Sequence, residues 1–248
     1  MEKRDFRILP VVPRRMGMLC ALGEIDAGPF SLMDYLRQED DMELMGWCIA
    51  TRDQVKSVML FSKEGWHDLD GRTIGITDDT ATSVHLLHVL LEKKYGVHAR
   101  FQRLHQGVNS YDGFDAVLLI GDEALRRNKY GLHGFELVYD LAREWYEWQK
   151  LPFVFAVWAL RRSLPAAVGE ELRGMLKQSL ESVGGDFVSV AGTHGRRIGL
   201  TDAETQEYLS GFNYSLGERE REAIAVFRRL VPFVASGSHA PSRDTEAR

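Results

Sequence analysis

Apolar residues fall along the chain in short blocks whose period switches repeatedly between that of a strand and that of a helix, so the two element types alternate. Residues 6–12 read as a strand, after which residues 13–22 set Met16, Leu19, Cys20 and Leu22 at helical spacing. Residues 25–30 form a second strand and 31–36 a helix start, with Ser31 suited to cap it because its hydroxyl accepts a free N–H of the first turn. KSVMLFS at 56–62 is a β-rich run, and residues 73–77 form a strand after a turn. Val84, Leu87, Leu90 and Leu91 then make a stripe predicting a helix that begins among Thr80, Thr82 and Ser83 and is closed by Gly96. Further strands are predicted at 100–104, 115–120, 135–140 and 153–160, and residues 164–183 and 202–234 read as mainly helical, with a link at Gly184 and Gly185. Residues 236–248 have almost no apolar side chains and read as a disordered tail.

Such alternation predicts an α/β protein with parallel or mixed sheets and helices on both faces. The runs at 58–62 and 153–160 are expected to carry the chain between two lobes, residues 1–62 with 159–235 forming one and 63–158 the other. A ligand would then lie between lobes. The stretch 115–161 is the most informative, because strands ending in IGD and YDL feed helices as they do at the carboxyl edge of an open sheet.

Composition narrows the function. With 248 residues, 44% of them hydrophobic, the chain can fill one large core or two smaller ones. A net charge of −5 argues against a nucleic-acid backbone as partner. Cys20 and Cys48 lack metal or redox spacing and are expected to be reduced. The N-terminus lacks the apolar run of a secretory signal, and no stretch approaches about 20 apolar residues, so the expectation is a soluble cytoplasmic protein without a membrane partner.

Thr80, Thr82 and Ser83, at a helix start directly after a buried strand, are candidates to bind a carboxylate or phosphate with hydroxyls and free N–H groups, although hydroxyl residues are also ordinary caps. Ser31 and Ser57 are candidate donors from the other lobe. Asp122, at the end of LLIGD, either serves proton chemistry or caps the next helix. Asp140 is expected to cap a helix, and Trp145, Trp148 and Trp158, which fall among core aromatics, to serve lobe packing rather than ligand stacking. His85 and His88 sit three apart without a third ligand and are expected on an exposed helix face; no metal is expected. GxSxG, GxxxxGK[ST] and GxGxxG are all absent, so chemistry without a cofactor is expected.

Five motifs in order, KSVMLFS, TATSVHLL, LLIGDEAL, YDLAREWYEWQKLPFVFAVWALR and YLSGFNYSLGEREREAIAVF, together resemble the menaquinone-biosynthesis family that includes chorismate dehydratase, from about residue 6 to 233. The resemblance implies a two-lobed fold like that of type II periplasmic binding proteins, working in the cytoplasm, and an enzyme that removes water from chorismate to give 3-((1-carboxyvinyl)oxy)benzoate, a carbon–oxygen lyase without cofactor. It implies Ser31, Ser57, Thr80, Thr82, Ser83 and Gly121 as substrate-binding and Asp122 as catalytic. A sister enzyme that cleaves cyclic dehypoxanthine futalosine carries a histidine base where this chain has Gly121, which favours the dehydratase branch. Relatives begin with a strand reading roughly I-x-Y-x-N-x-x-P, whose asparagine joins the active site, and this chain opens at what looks like their second strand. Their Ser-Arg-Thr-Ser reads Thr80-Ala81-Thr82-Ser83 here, which shifts carboxylate binding toward hydroxyls and helix N–H groups. The alternative is a non-catalytic paralogue that binds or senses a small carboxylate. A sheet edge left without that strand would suit a homodimer.

Overall fold

A computed structural model describes residues 6–77, 81–104 and 111–231, the side chain of Arg14 excepted. The elements follow in the order α1 (Pro13–Ala21), β1 (Ala27–Ser31), α2 (Leu32–Arg37), β2 (Met42–Thr51), β3 (Val58–Ser62), β4 (Thr73–Ile76), α3 (Ala81–Val89), β5 (Arg100–Arg103), β6 (Ala116–Ile120), α4 (Gly121–Tyr130), β7 (Leu137–Asp140), α5 (Leu141–Gln149), β8 (Phe153–Arg161), α6 (Ala166–Val183), α7 (Phe187–Arg197), α8 (Asp202–Ser210), β9 (Phe212–Ser215) and α9 (Glu218–Leu230). The helix after β4 widens into a π-turn over Leu90–Tyr95 and ends at Gly96, whose φ of 68° is the left-handed conformation that glycine adopts without cost.

Two sheets result, ordered β1-β8-β2-β9 and β5-β4-β6-β3-β7. The second is mixed as expected, with β4 parallel to β5 and β6 and β3 antiparallel to β6 and β7. The first departs from the expected mixed pattern, since all its pairings are antiparallel. Strands β3 and β8 do not cross between sheets: β3 lies wholly in the second and β8 wholly in the first. Division at 62/63 and 158/159 would therefore detach β3 and most of β8 from their sheets, and the change of sheet falls between β2 and β3 and between β7 and β8.

Two other expectations are corrected, and one strand, β2, comes without any expectation. Residues 6–12 form no strand. Pro10 cannot donate to a ladder, and although Leu9 and Val11 pack on the core, Ile8 and Val12 are exposed. Strand β2 was hidden by Gly46 at φ 92° and by two register shifts against β8, which break the two-residue alternation. Within the expected helical stretch after 202, β9 separates α8 from α9 and pairs with β2. The proposed tail, 236–248, lies outside the described residues.

β3 is buried along its whole length because it packs on two sides. Leu60 joins the main cluster, which also takes Phe30, Leu86, Leu118, Leu141 and Phe227, whereas Met59 and Phe61 join Val117, Leu119, Ala124 and Phe135 on the opposite face. This accounts for the unbroken apolar run, as strands covered on both faces need no alternation. The main cluster contains residues of both sheets, and Trp145 of α5 sits fully buried in it. Its ring meets Phe153 and Phe227 edge-on at 5.3 and 5.8 Å, and its Nε1–H donates to the Pro152 carbonyl at 3.2 Å. Each such aromatic pair adds about 0.5–1.5 kcal/mol beyond area burial, so Trp145 is core as expected; Trp148 packs on the margin of the same cluster, and Trp158 is partly exposed and joins none of the described clusters.

Candidate functional site

The carboxyl ends of β4 and β6 lie at one edge of the second sheet, where β3 begins. Ile76 pairs beside Leu118, and Val58 opposite Ile120. Ser57 therefore stands next to Gly121, and its carbonyl accepts the Gly121 N–H at 2.8 Å. Gly121 has φ 61°, which turns β6 sharply into α4. At the same edge Thr77 follows β4, and its buried Oγ1 has no hydrogen-bond partner among the described residues. A buried hydroxyl without a partner carries a desolvation cost of about 1–3 kcal/mol, which a polar ligand group would relieve.

The start of α3 meets the start of α2. Thr82 Oγ1 accepts the Met33 N–H at 3.1 Å, so a hydroxyl of one helix start satisfies a free donor of the other. Ser31 closes β1 and caps α2 as expected, accepting the Asp34 N–H at 3.2 Å and donating to Asp34 Oδ2 at 2.8 Å. Ser31, Thr82 and Ser83 are all buried, while Thr80 lies outside the described residues. Ser57 is also buried, and its Oγ accepts the Tyr208 hydroxyl at 2.9 Å.

One titratable group beside these hydroxyls, Asp34, was missed in the sequence, and the exposure expected of His85 and His88 is corrected. Burial pushes the Asp34 carboxyl upward, against the hydrogen bond from Ser31 and the charges of Arg37 and His85. Asp34 lies so close over Gly17 that a Cβ there would collide with the carboxylate. The Asp at the third position of a six-residue helix gives no periodic signal; only the small residue at Gly17 hinted at a close approach. His85 and His88 are half-buried, not exposed. Burial pushes both below the usual histidine range, which favours neutral rings. His85 Nδ1 lies 2.7 Å from the Ala81 carbonyl and must carry the proton that it donates, leaving Nε2 as an acceptor. His88 instead stacks on Phe101 at 3.8 Å.

Asp122 is placed differently from the buried hydroxyls. Its side chain is 54% exposed, and its two oxygens lie 2.9 and 3.0 Å from His194 Nε2 on α7. This hydrogen-bonding contact belongs to a larger one between α4 and the α7–α8 region, in which Leu125 packs on Ile198, Leu200 and Tyr208 and Lys129 reaches Glu204 at 2.7 Å. Asp140 is an anchor, as its capping role foretold. One oxygen accepts the Ala142 and Arg143 N–H groups and the other those of Val55 and Lys56.

A pair of sheets linked by two changes of sheet, with helices around them, gives a two-lobed α/β fold like that of substrate-binding proteins. Solved structures share the architecture: protein AF1704 of Archaeoglobus fulgidus has a TM-score of 0.67 at 20% identity, covering 88% of this chain and 82% of its own. The alkanesulfonate-binding protein SsuA of Xanthomonas axonopodis pv. citri has a TM-score of 0.61 at 17% identity, covering 90% and 82%. The sequence model of the menaquinone biosynthesis family matches residues 1–232, and the chain belongs to that family. The chorismate dehydratase of Thermus thermophilus is 34% identical over 242 residues, 91% of this chain and 87% of the relative. No described helix is long and apolar enough to cross a membrane.

Proposed function

We propose that the protein is a chorismate dehydratase, converting chorismate to 3-((1-carboxyvinyl)oxy)benzoate and water on the way to menaquinone. The observation that carries this reading is the 34% identity to a chorismate dehydratase across nine-tenths of the chain. The buried hydroxyls at the junction of α2, α3 and the second sheet support it, because chorismate brings two carboxylates and an allylic hydroxyl.

The reaction removes a ring proton beside the enolpyruvyl ether and expels the allylic hydroxyl, leaving an aromatic ring. It neither oxidises nor reduces the substrate, so positioning and oriented dipoles suffice and no cofactor is required. Thr82 and Ser83, with Thr80 before them, hold one carboxylate at the start of α3, and the unpartnered Thr77 hydroxyl adds a donor. Ser31 approaches from the facing start of α2, whereas Ser57, expected from the other lobe, stands beside Gly121 at the edge of the second sheet itself, and Gly121 lets that edge come close. Asp122, with His194 against it, orients or protonates the departing hydroxyl. A carboxylate of the substrate shares in the proton transfer. We place the enzyme in the cytoplasm, and a homodimer would use the edge of β1, which pairs only with β8 among the described strands.

The test is incubation of the purified chain with chorismate, following loss of the diene absorbance and identifying the product by mass. Formation of the enolpyruvyl benzoate above the spontaneous rate is expected. The double change T82A/S83A should weaken chorismate binding by at least about tenfold, the loss of roughly one hydrogen bond to a charged group. Stabilisation by chorismate without turnover would instead favour a binding or sensing paralogue, and unchanged affinity in the double variant would remove the anion site.

A further inference from the structure

Away from the hydroxyl cluster, a cavity of about 480 Å³ opens between α2, β2 and α9. That volume lies within the roughly 300–1,000 Å³ of small-molecule sites. Leu36, Leu44, Ile224 and Ala225 form apolar walls, and the charged lining is Arg221, Arg228, Arg229 and Glu39. Arg221, Ala225 and Arg228 recur on one stripe of α9, and the small Ala225 leaves the space between the guanidiniums open.

The charges do not cancel. Glu39 pairs with Arg228, while Arg221 and Arg229 have no carboxylate partner among the described residues. An excess of positive charge thus gathers beside an apolar wall, in a chain whose net charge is −5. Tyr35, also in the wall, is only 8% exposed, and its hydroxyl has no hydrogen bond among the described residues. Burial pushes that hydroxyl up, the Glu39 carboxylate pushing the same way and Arg162, Arg221 and Arg228 opposing, so it remains a proton donor at neutral pH. Guanidinium forks match the two oxygens of a carboxylate, and a phenol adds a third donor.

We propose that this cavity is a second ligand site, which takes a small carboxylate carrying an apolar body such as an aromatic ring. The carboxylate lies between Arg221 and Arg229 with the Tyr35 hydroxyl donating to it, and the ring rests on Leu44 and Ile224. The site communicates with the hydroxyl cluster through α2: Tyr35 and Leu36 line the cavity, and Ser31 and Asp34 stand at the start of the same helix. Occupancy would therefore bear on the helix that Ser31 caps and Thr82 holds.

The experiment titrates benzoate into the purified full chain by calorimetry, with acetate as the probe lacking a ring. The variants are R221Q/R229Q, which removes the unpaired charges, and A225W, which fills the space from an exposed helix position; circular dichroism confirms that both fold. Saturable benzoate binding is expected, weakened about tenfold or more in each variant and kept in T82A/S83A, with acetate binding at least about tenfold more weakly, since burying a ring contributes well over the 1.4 kcal/mol that tenfold represents. Absence of saturable binding, affinity unchanged in R221Q/R229Q and A225W, or affinity lost only in T82A/S83A would each overturn the second site. Acetate binding as tightly as benzoate would overturn its preference for an apolar body.

Discussion

Replacing Asp140 by alanine leaves four backbone N–H groups without their acceptor. Two belong to the first turn of α5, held at 3.0 and 3.3 Å, and two to the segment between the sheets, Val55 at 2.9 and Lys56 at 2.7 Å. Losing the cap costs about 1 kcal/mol. Leaving the Val55 donor buried and unpaired costs about 1–3 kcal/mol more. Lys56 adds to this, because its φ of 58° is a left-handed conformation that a residue with a Cβ holds only under constraint. Against these losses stands relief of burial, which pushes the Asp140 carboxyl upward despite its four donors. The net expectation is a loss of about 2–4 kcal/mol, which lowers the urea midpoint by about 1 M at a slope of about 2–3 kcal/mol/M. D140N keeps one acceptor oxygen but turns its NH₂ toward the other pair of donors, so it should recover less than half of the loss. Unfolding followed by tryptophan fluorescence and circular dichroism gives both values. A D140A stability within about 0.5 kcal/mol of the parent, the range of ordinary surface changes, or a D140N stability equal to it, would refute the anchoring role.

Asp34 predicts a pH dependence. Its pKa is raised in the folded chain from an ordinary 3.8, so folding favours its protonated form; its contribution is present below that value and is lost as pH rises through the folded pKa. The stability of D34N relative to the parent should therefore increase with pH from 4 to 7, and urea midpoints showing a constant difference would contradict this. Cys20 and Cys48 are buried, with Cys48 pushed up to about 12, so neither should be alkylated by iodoacetamide at pH 8 until the protein is unfolded, as read by intact mass. G121A should lose about 1–2 kcal/mol, because alanine at φ 61° carries the left-handed penalty, and an unchanged thermal midpoint would contradict that.

The sequence made most elements legible because β3, β6 and β8 are strongly apolar and α2 and α3 begin at hydroxyl residues. The path of the chain between sheets was not legible. An apolar strand looks the same whether it spans two lobes or lies inside one, and only the partners of Val58 and Phe153 decide it. At the site, Ser31, Thr82 and Ser57 could be picked out as hydroxyls at element starts, but not that Thr82 would be held to the Met33 N–H or Ser57 to the Tyr208 hydroxyl, since those pairs lie 49 and 151 residues apart. Asp122 shows the opposite limit. It does follow a buried strand, yet its contact with His194 depends on α7 arriving from 72 residues away.

The contact between α4 and the α7–α8 region sets the terms on which a ligand could come and go. Any parting of the sheets on that side must break Asp122–His194 and Lys129–Glu204 and draw Leu125 away from Ile198 and Leu200. The Lys129–Glu204 ion pair is exposed and is screened within about 10 Å at 0.1 M salt, whereas the apolar contact is not. Ligand exchange should therefore quicken as ionic strength rises from low values and then level off, the plateau marking the share of the barrier carried by Leu125 and its neighbours.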